Sequence, residues 1–85
     1  MDFKATLAAS YRANYKKWFN RMKGGNVTPE MAEDIIQLAC VNALEHQAAY
    51  DSTRPFDNWF EWILNNARIT IINQDRSGGM VGRSL

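Results

Sequence analysis

The 85 residues predict an all-α fold, a small bundle of three or at most four helices. Three observations carry that prediction. Apolar residues recur at steps of three and four in three separate stretches, which is the helical period. Gly24-Gly25-Asn26 followed by Thr28-Pro29 reads as a helix stop and then a helix start. No segment sustains the alternation of a half-buried strand. Ile69-Thr70-Ile71-Ile72 is β-branched but continues a helical stripe, and packing overrides weak propensity.

The first helix is expected over Asp2 to Lys23. Leu7, Tyr11, Tyr15, Trp18, Phe19 and Met22 form its apolar face, while Arg12, Lys16, Lys17, Arg21 and Lys23 give a basic, solvated side. Gly24, Gly25 and Asn26 tolerate the left-handed backbone that ends helices. Thr28 is suited to cap the second helix, and Pro29 fits the first helical position. Glu30, Glu33 and Asp34 then sit where the helix dipole favours acids. Ala32, Ile35, Ile36, Ala39 and Ala43 make the inward face of this helix. The opposite side holds Glu30, Asp34, Gln37, Leu38, Val41, Leu44 and Glu45. A row of aliphatics among polar residues on an outer face points to a protein partner.

Tyr50 to Pro55 is a loop, because Pro55 disfavours helical backbone at Arg54. Thr53 is the expected cap of the third helix. In that helix Phe56, Trp59, Phe60, Ile63, Ala67 and Ile71 form a core stripe. A second face carries Asn58, Trp62, Asn65, Asn66, Ile69, Asn73 and Arg76. A solvated face would carry Lys and Glu; amides with one large aromatic suggest a working surface. Trp59 falls in the core stripe, whereas Trp62 either covers the first helix or faces out. The expected domain is residues 1–76, with a Gly-rich flexible tail over 77–85.

Composition narrows the function classes. A net charge of +1 and a pI near 7.9 are not those of a domain that grips duplex DNA through its phosphates. One Cys and one His allow neither a disulfide nor a zinc site, so no metal or cofactor is expected. There is no signal-peptide core and no membrane-length apolar run, which suggests a cytoplasmic protein with no membrane partner. Paired carboxylates, a Ser/His/Asp set and a Gly-rich phosphate loop are all missing, and Cys40 and His46 point in different directions on one helix. Neither an enzyme nor a small-molecule substrate is expected.

Glu33-Asp34-Ile35-Ile36-Gln37, then Tyr50 to Phe56, then Asn58 to Asn66 resemble in order and spacing region 2 of bacterial sigma factors. The extracytoplasmic-function type is the nearest pattern, with an "EDxxQ" helix, a "(F/Y)D-x-(S/T)-R-P-F" loop and an "xxWLxxIAxN" helix. The resemblance covers roughly the C-terminal two-thirds of the chain. It implies a transcription-initiation module. The face of Glu30, Asp34, Gln37, Leu38, Val41, Leu44 and Glu45 would dock on the clamp helices of the largest RNA polymerase subunit, and an anti-sigma factor is a further partner of such domains. Tyr50, Asp51, Ser52, Thr53 and Arg54 would line a pocket for a flipped-out base of the single-stranded minus-ten promoter element. Asn66 would contact bases from the third helix, with the rest of the amide face beside it.

Elementary chemistry agrees with that assignment. Stacking a base on an aromatic is worth about 1–3 kcal/mol, and Asn offers both a donor and an acceptor to base edges. Tyr50 either meets a base or plugs the bottom of the bundle. The chain departs from the family pattern in three ways. Leu38 stands where a Glu is usual, the basic residues after the third helix are few (Arg76 and Arg83), and no second segment for the minus-thirty-five element is present. Two forms stay open. One is an excised domain; the other is a free-standing protein, phage-encoded for example, acting as a sigma-like factor or as a decoy. The alternative function is a protein-only module that binds polymerase or a regulator without reading DNA.

Overall fold

Three helices in sequence order build the structure, a computed structural model that describes residues 2–76, with the side chains of residues 75 and 76 left out. They are α1 (Phe3–Met22), α2 (Pro29–Glu45) and α3 (Phe56–Arg76), with one 3-10 turn at Gln47–Ala49. The all-α reading holds. The expected tail, 77–85, lies outside the described residues.

Local chemistry sets most of the ends. The Asp2 carboxylate accepts a hydrogen bond from the Ala5 amide at 3.3 Å and caps α1. At the other end the Lys23 amide donates to the Phe19 carbonyl. Gly24 and Gly25 then take φ of +125° and +56°, while Asn26, expected to share the left-handed turn, does not. That backbone path suits glycine, which has no Cβ to clash. It lets Gly24 and Val27 exchange backbone hydrogen bonds of 3.0 and 2.9 Å, which closes the turn and buries Val27. Thr28 caps α2 as expected, its hydroxyl accepting from the Met31 amide at 3.1 Å with Pro29 at the first helical position.

The start of α3 differs from the expectation. It begins at Phe56, and Thr53 does not cap it. The Thr53 amide and hydroxyl both donate to the Asp51 carboxylate instead, at 2.9 and 2.7 Å. Pro55 explains the shift, because it holds Arg54 away from helical backbone.

α2 packs most extensively on α3, and α1 lies chiefly on α2, with a lighter contact to α3. Alanines at 32, 39 and 43 are fully buried, and their small side chains let the helix axes approach. Ile35 and Ile36 fill the layer from α2, and Phe60, Leu64 and Ala67 fill it from α3. Leu64 was not among the expected core residues. It flanks the expected stripe, and the buried arc of α3 is wide enough to include it. Trp59 and Ile71, placed in the stripe by periodicity, are only half-buried. Trp18 is the large side chain α1 sends inward, its ring 4.7 Å from that of Phe60. Two polar links join α1 to α3: the Ser10 hydroxyl donates to Asp57 at 2.5 Å, and Arg21 pairs with Glu61 at 3.1 Å. Both ends of that ion pair are substantially exposed, so it adds at most about 1 kcal/mol.

Candidate functional site

Four aromatic rings stand under the 50–55 loop. Phe3, Tyr50, Phe56 and Trp59 form a closed tetrad in which all six pairs of ring centroids lie between 5.1 and 6.1 Å. Four of those pairs, the three made by Phe3 and the Tyr50–Phe56 pair, are edge-to-face, an arrangement the ring quadrupole favours. Phe3 comes from the start of α1, Phe56 and Trp59 from the start of α3. Half-buried Tyr50 is therefore largely committed to its neighbours rather than projecting as a bare stacking platform. Its hydroxyl is committed too, donating to the Arg54 carbonyl at 2.6 Å.

The loop closes on itself above that base. Besides its two bonds from Thr53, Asp51 accepts the Arg54 amide at its carbonyl at 3.0 Å, and its carboxylate lies 3.7 Å from the Arg54 guanidinium. This is an Asx turn, in which an Asp side chain bonds the backbone two residues on. The Thr53 hydroxyl, then the Thr53 amide, and more weakly the Arg54 charge hold the Asp51 carboxyl below its usual range. The side chains of Ser52, Thr53 and Arg54 are left on the outside.

Beside the loop lies a recess of about 400 Å³ lined by Arg54, Pro55, Asn58 and Trp59. Trp59 was expected as core alone. The structure gives it two surroundings, with the tetrad on one side and this recess on the other. Its place at the edge of the apolar stripe, next to Asn58, was the available signal. From the recess a stripe runs along α3 through Asn58, Trp62, Asn65, Asn66, Ile69 and Asn73, all exposed. Trp62 is 62% exposed and Ile69 55%, so Trp62 does not cover the first helix. The side-chain amides of Asn58, Asn65 and Asn66 make no hydrogen bond to any described residue. Arg76 ends the helix, and its side chain lies outside the described residues.

α2 presents a second surface. Glu30, Asp34, Gln37, Val41 and Glu45 all face out, with Val41 50% exposed. Two residues expected on this face sit differently. Leu38 is half-buried and packs on the core. Leu44, 37% exposed, turns toward α1 and helps line an apolar groove of about 460 Å³ with Leu7, Ala8, Tyr11 and Cys40. Burial raises the Cys40 thiol pKa, which disfavours the reactive thiolate. Among the described residues, no group of three or more His, Cys, Asp or Glu is placed to hold a metal ion, and no helix is long and apolar enough to cross a membrane.

The family model described as Sigma-70 region 2 matches residues 7–77, well over half of the chain. No curated protein and no solved structure matches it.

Proposed function

The chain belongs to the Sigma-70 region 2 family, a non-enzymatic family that acts in RNA polymerase binding and minus-ten recognition, and we propose on that premise how its two surfaces divide the work. The loop and α3 hold the single-stranded minus-ten element. The outward face of α2 docks on the clamp helices of the largest polymerase subunit. The loop pattern from Tyr50 to Phe56 further supports the extracytoplasmic-function type.

One observation carries the DNA half of this reading: three uncommitted amides and an open indole continue directly into the recess beside Arg54. A base unstacked from its neighbours exposes a π-face and a Watson–Crick edge. Trp62 offers a surface for the first, and Asn58, Asn65 and Asn66 offer donors and acceptors for the second. Extruding a base costs a few kcal/mol, so a cavity that exists beforehand reduces what binding must supply. The recess beside Trp59 and Arg54 is the place for that base, with the Arg54 guanidinium at its mouth to meet a phosphate. Asp51, Ser52 and Thr53 shape the rim, and Tyr50 supports it from beneath. Ile69, Asn73 and Arg76 extend the strand-binding face toward the end of α3.

On α2, Asp34 and Gln37 with Glu30 and Glu45 supply polar contacts around Val41. Leu44 contributes at the border with α1, and Leu38 supports the face from below. The low net charge of +1 favours a second reading, a protein-only module that occupies polymerase or a regulator without holding DNA. Titration with single-stranded minus-ten oligonucleotides, followed by Trp fluorescence, separates the two. Sequence-dependent quenching supports strand reading, and no binding at micromolar protein supports the protein-only module.

A further inference from the structure

We propose that Phe3 is a positioning residue for the strand-reading loop: its ring completes the aromatic tetrad that holds Tyr50, and through Tyr50 the loop up to Arg54. This rests on the reading of the loop and α3 as the strand-binding surface. Phe3 lies 47 positions before Tyr50 in the chain and belongs to a helix with no part in that surface.

The geometry links them in three steps. The Phe3 ring meets Tyr50, Phe56 and Trp59 edge-on at 6.1, 5.6 and 5.8 Å. Tyr50 is the member of the tetrad outside any helix, so its orientation depends on the rings around it. Its hydroxyl then fixes the Arg54 carbonyl at 2.6 Å, immediately before the recess wall formed by Arg54 and Pro55. α1 itself is anchored elsewhere, by Trp18 against Phe60 and by the links from Ser10 and Arg21. It acts as a fixed post against which Phe3 holds the loop base. Without the Phe3 ring, Tyr50 loses one wall and the loop above it becomes free to shift.

The test compares Phe3→Leu, which keeps apolar bulk, with Phe3→Tyr, which keeps a ring, in the full chain. The first readout needs no DNA: ¹⁵N order parameters of the Thr53 and Arg54 amides. They should fall in Phe3→Leu from about 0.85 toward 0.6 or lower and return in Phe3→Tyr. The second readout is affinity for a single-stranded minus-ten oligonucleotide, measured well below the melting temperature. It should drop roughly three- to tenfold in Phe3→Leu, the loss of a few aromatic pair contacts, and recover in Phe3→Tyr. Pull-down of core polymerase should not change. Unchanged order parameters in Phe3→Leu overturn the proposal, as does a loss in Phe3→Leu that Phe3→Tyr fails to restore. If the wild-type chain binds no oligonucleotide, the strand-binding reading falls, and the order parameters still decide whether Phe3 holds the loop.

Discussion

The Tyr50 hydroxyl donates a 2.6 Å hydrogen bond to the carbonyl of Arg54, four residues on, and so spans the loop that the aromatic tetrad supports from below. Ring and hydroxyl thus have separate tasks: the ring is gripped, and the hydroxyl grips. Tyr50→Phe keeps the first and removes the second. The bond is exposed, so its loss should cost about 0.5–1.5 kcal/mol or less in urea denaturation. Oligonucleotide affinity should fall as the recess beside Arg54 loosens, while polymerase pull-down stays at the wild-type level. An affinity equal to wild type would show that the bond does not shape the site.

Trp62 and Asn66 stand clear of the core, so their removal should act on binding rather than folding. Trp62→Ala and Asn66→Ala should each leave stability within about 0.5 kcal/mol of wild type. Trp62→Ala should cost about 1–3 kcal/mol in single-stranded oligonucleotide binding, the worth of one base stacked on an aromatic. Fluorescence anisotropy of a labelled oligonucleotide measures the binding term and thermal melting the stability term. A large drop in melting temperature would mean that the indole packs in solution.

On α2, the double substitution Asp34→Ala with Gln37→Ala removes two exposed polar side chains and no core contact. Core polymerase should be retained much less well in a pull-down, with the melting curve unmoved. Undiminished retention would place the docking surface elsewhere.

Leu64 is fully buried between the helices. Leu64→Ala should therefore destabilise the domain by about 2–5 kcal/mol, combining lost transfer energy with the cavity left behind. For a single small domain that is a large share of the total. A midpoint in urea close to that of wild type would contradict the packing described for α3.

Asp51 links pH to loop order. Its folded pKa is lowered by the Thr53 hydroxyl and amide, so its contribution is present at neutral pH and above the unfolded value. It is lost as pH falls through the folded value, below the usual carboxylate range. The Thr53 amide proton should therefore keep its hydrogen-bonded chemical shift through mild acid and move only below about pH 4. A midpoint above the usual carboxylate value would remove the Thr53 bonds from the account.

Much of the fold can be read along the chain because its causes are local. Thr28-Pro29 caps and starts α2 with groups three residues apart, and the inward face of α2 follows from a period of 3.6. The amide stripe of α3 was legible for the same reason, since residues three and four apart must share a side. The misses share a different origin. Thr53 was expected to accept from the first amides of α3, but its own amide and hydroxyl donate to Asp51 instead, and two plausible local arrangements cannot be ranked without the loop's path. Leu38 and Leu44 lie on the outer half of α2 by periodicity, and the neighbours that half-cover one and turn the other into a groove come from other parts of the chain.

The sequence by itself determined three helices, their inward stripes and the outward placement of Asn58, Trp62, Asn65 and Asn66, because backbone hydrogen bonding and side-chain period act over a single turn. Only the tertiary structure decided what Tyr50 does, that Trp59 walls a recess, and that Phe3 reaches the loop. Those outcomes depend on rings 47 residues apart meeting in space. Such a meeting follows from how α1 lies across α2, and periodicity within either helix carries no information about that angle.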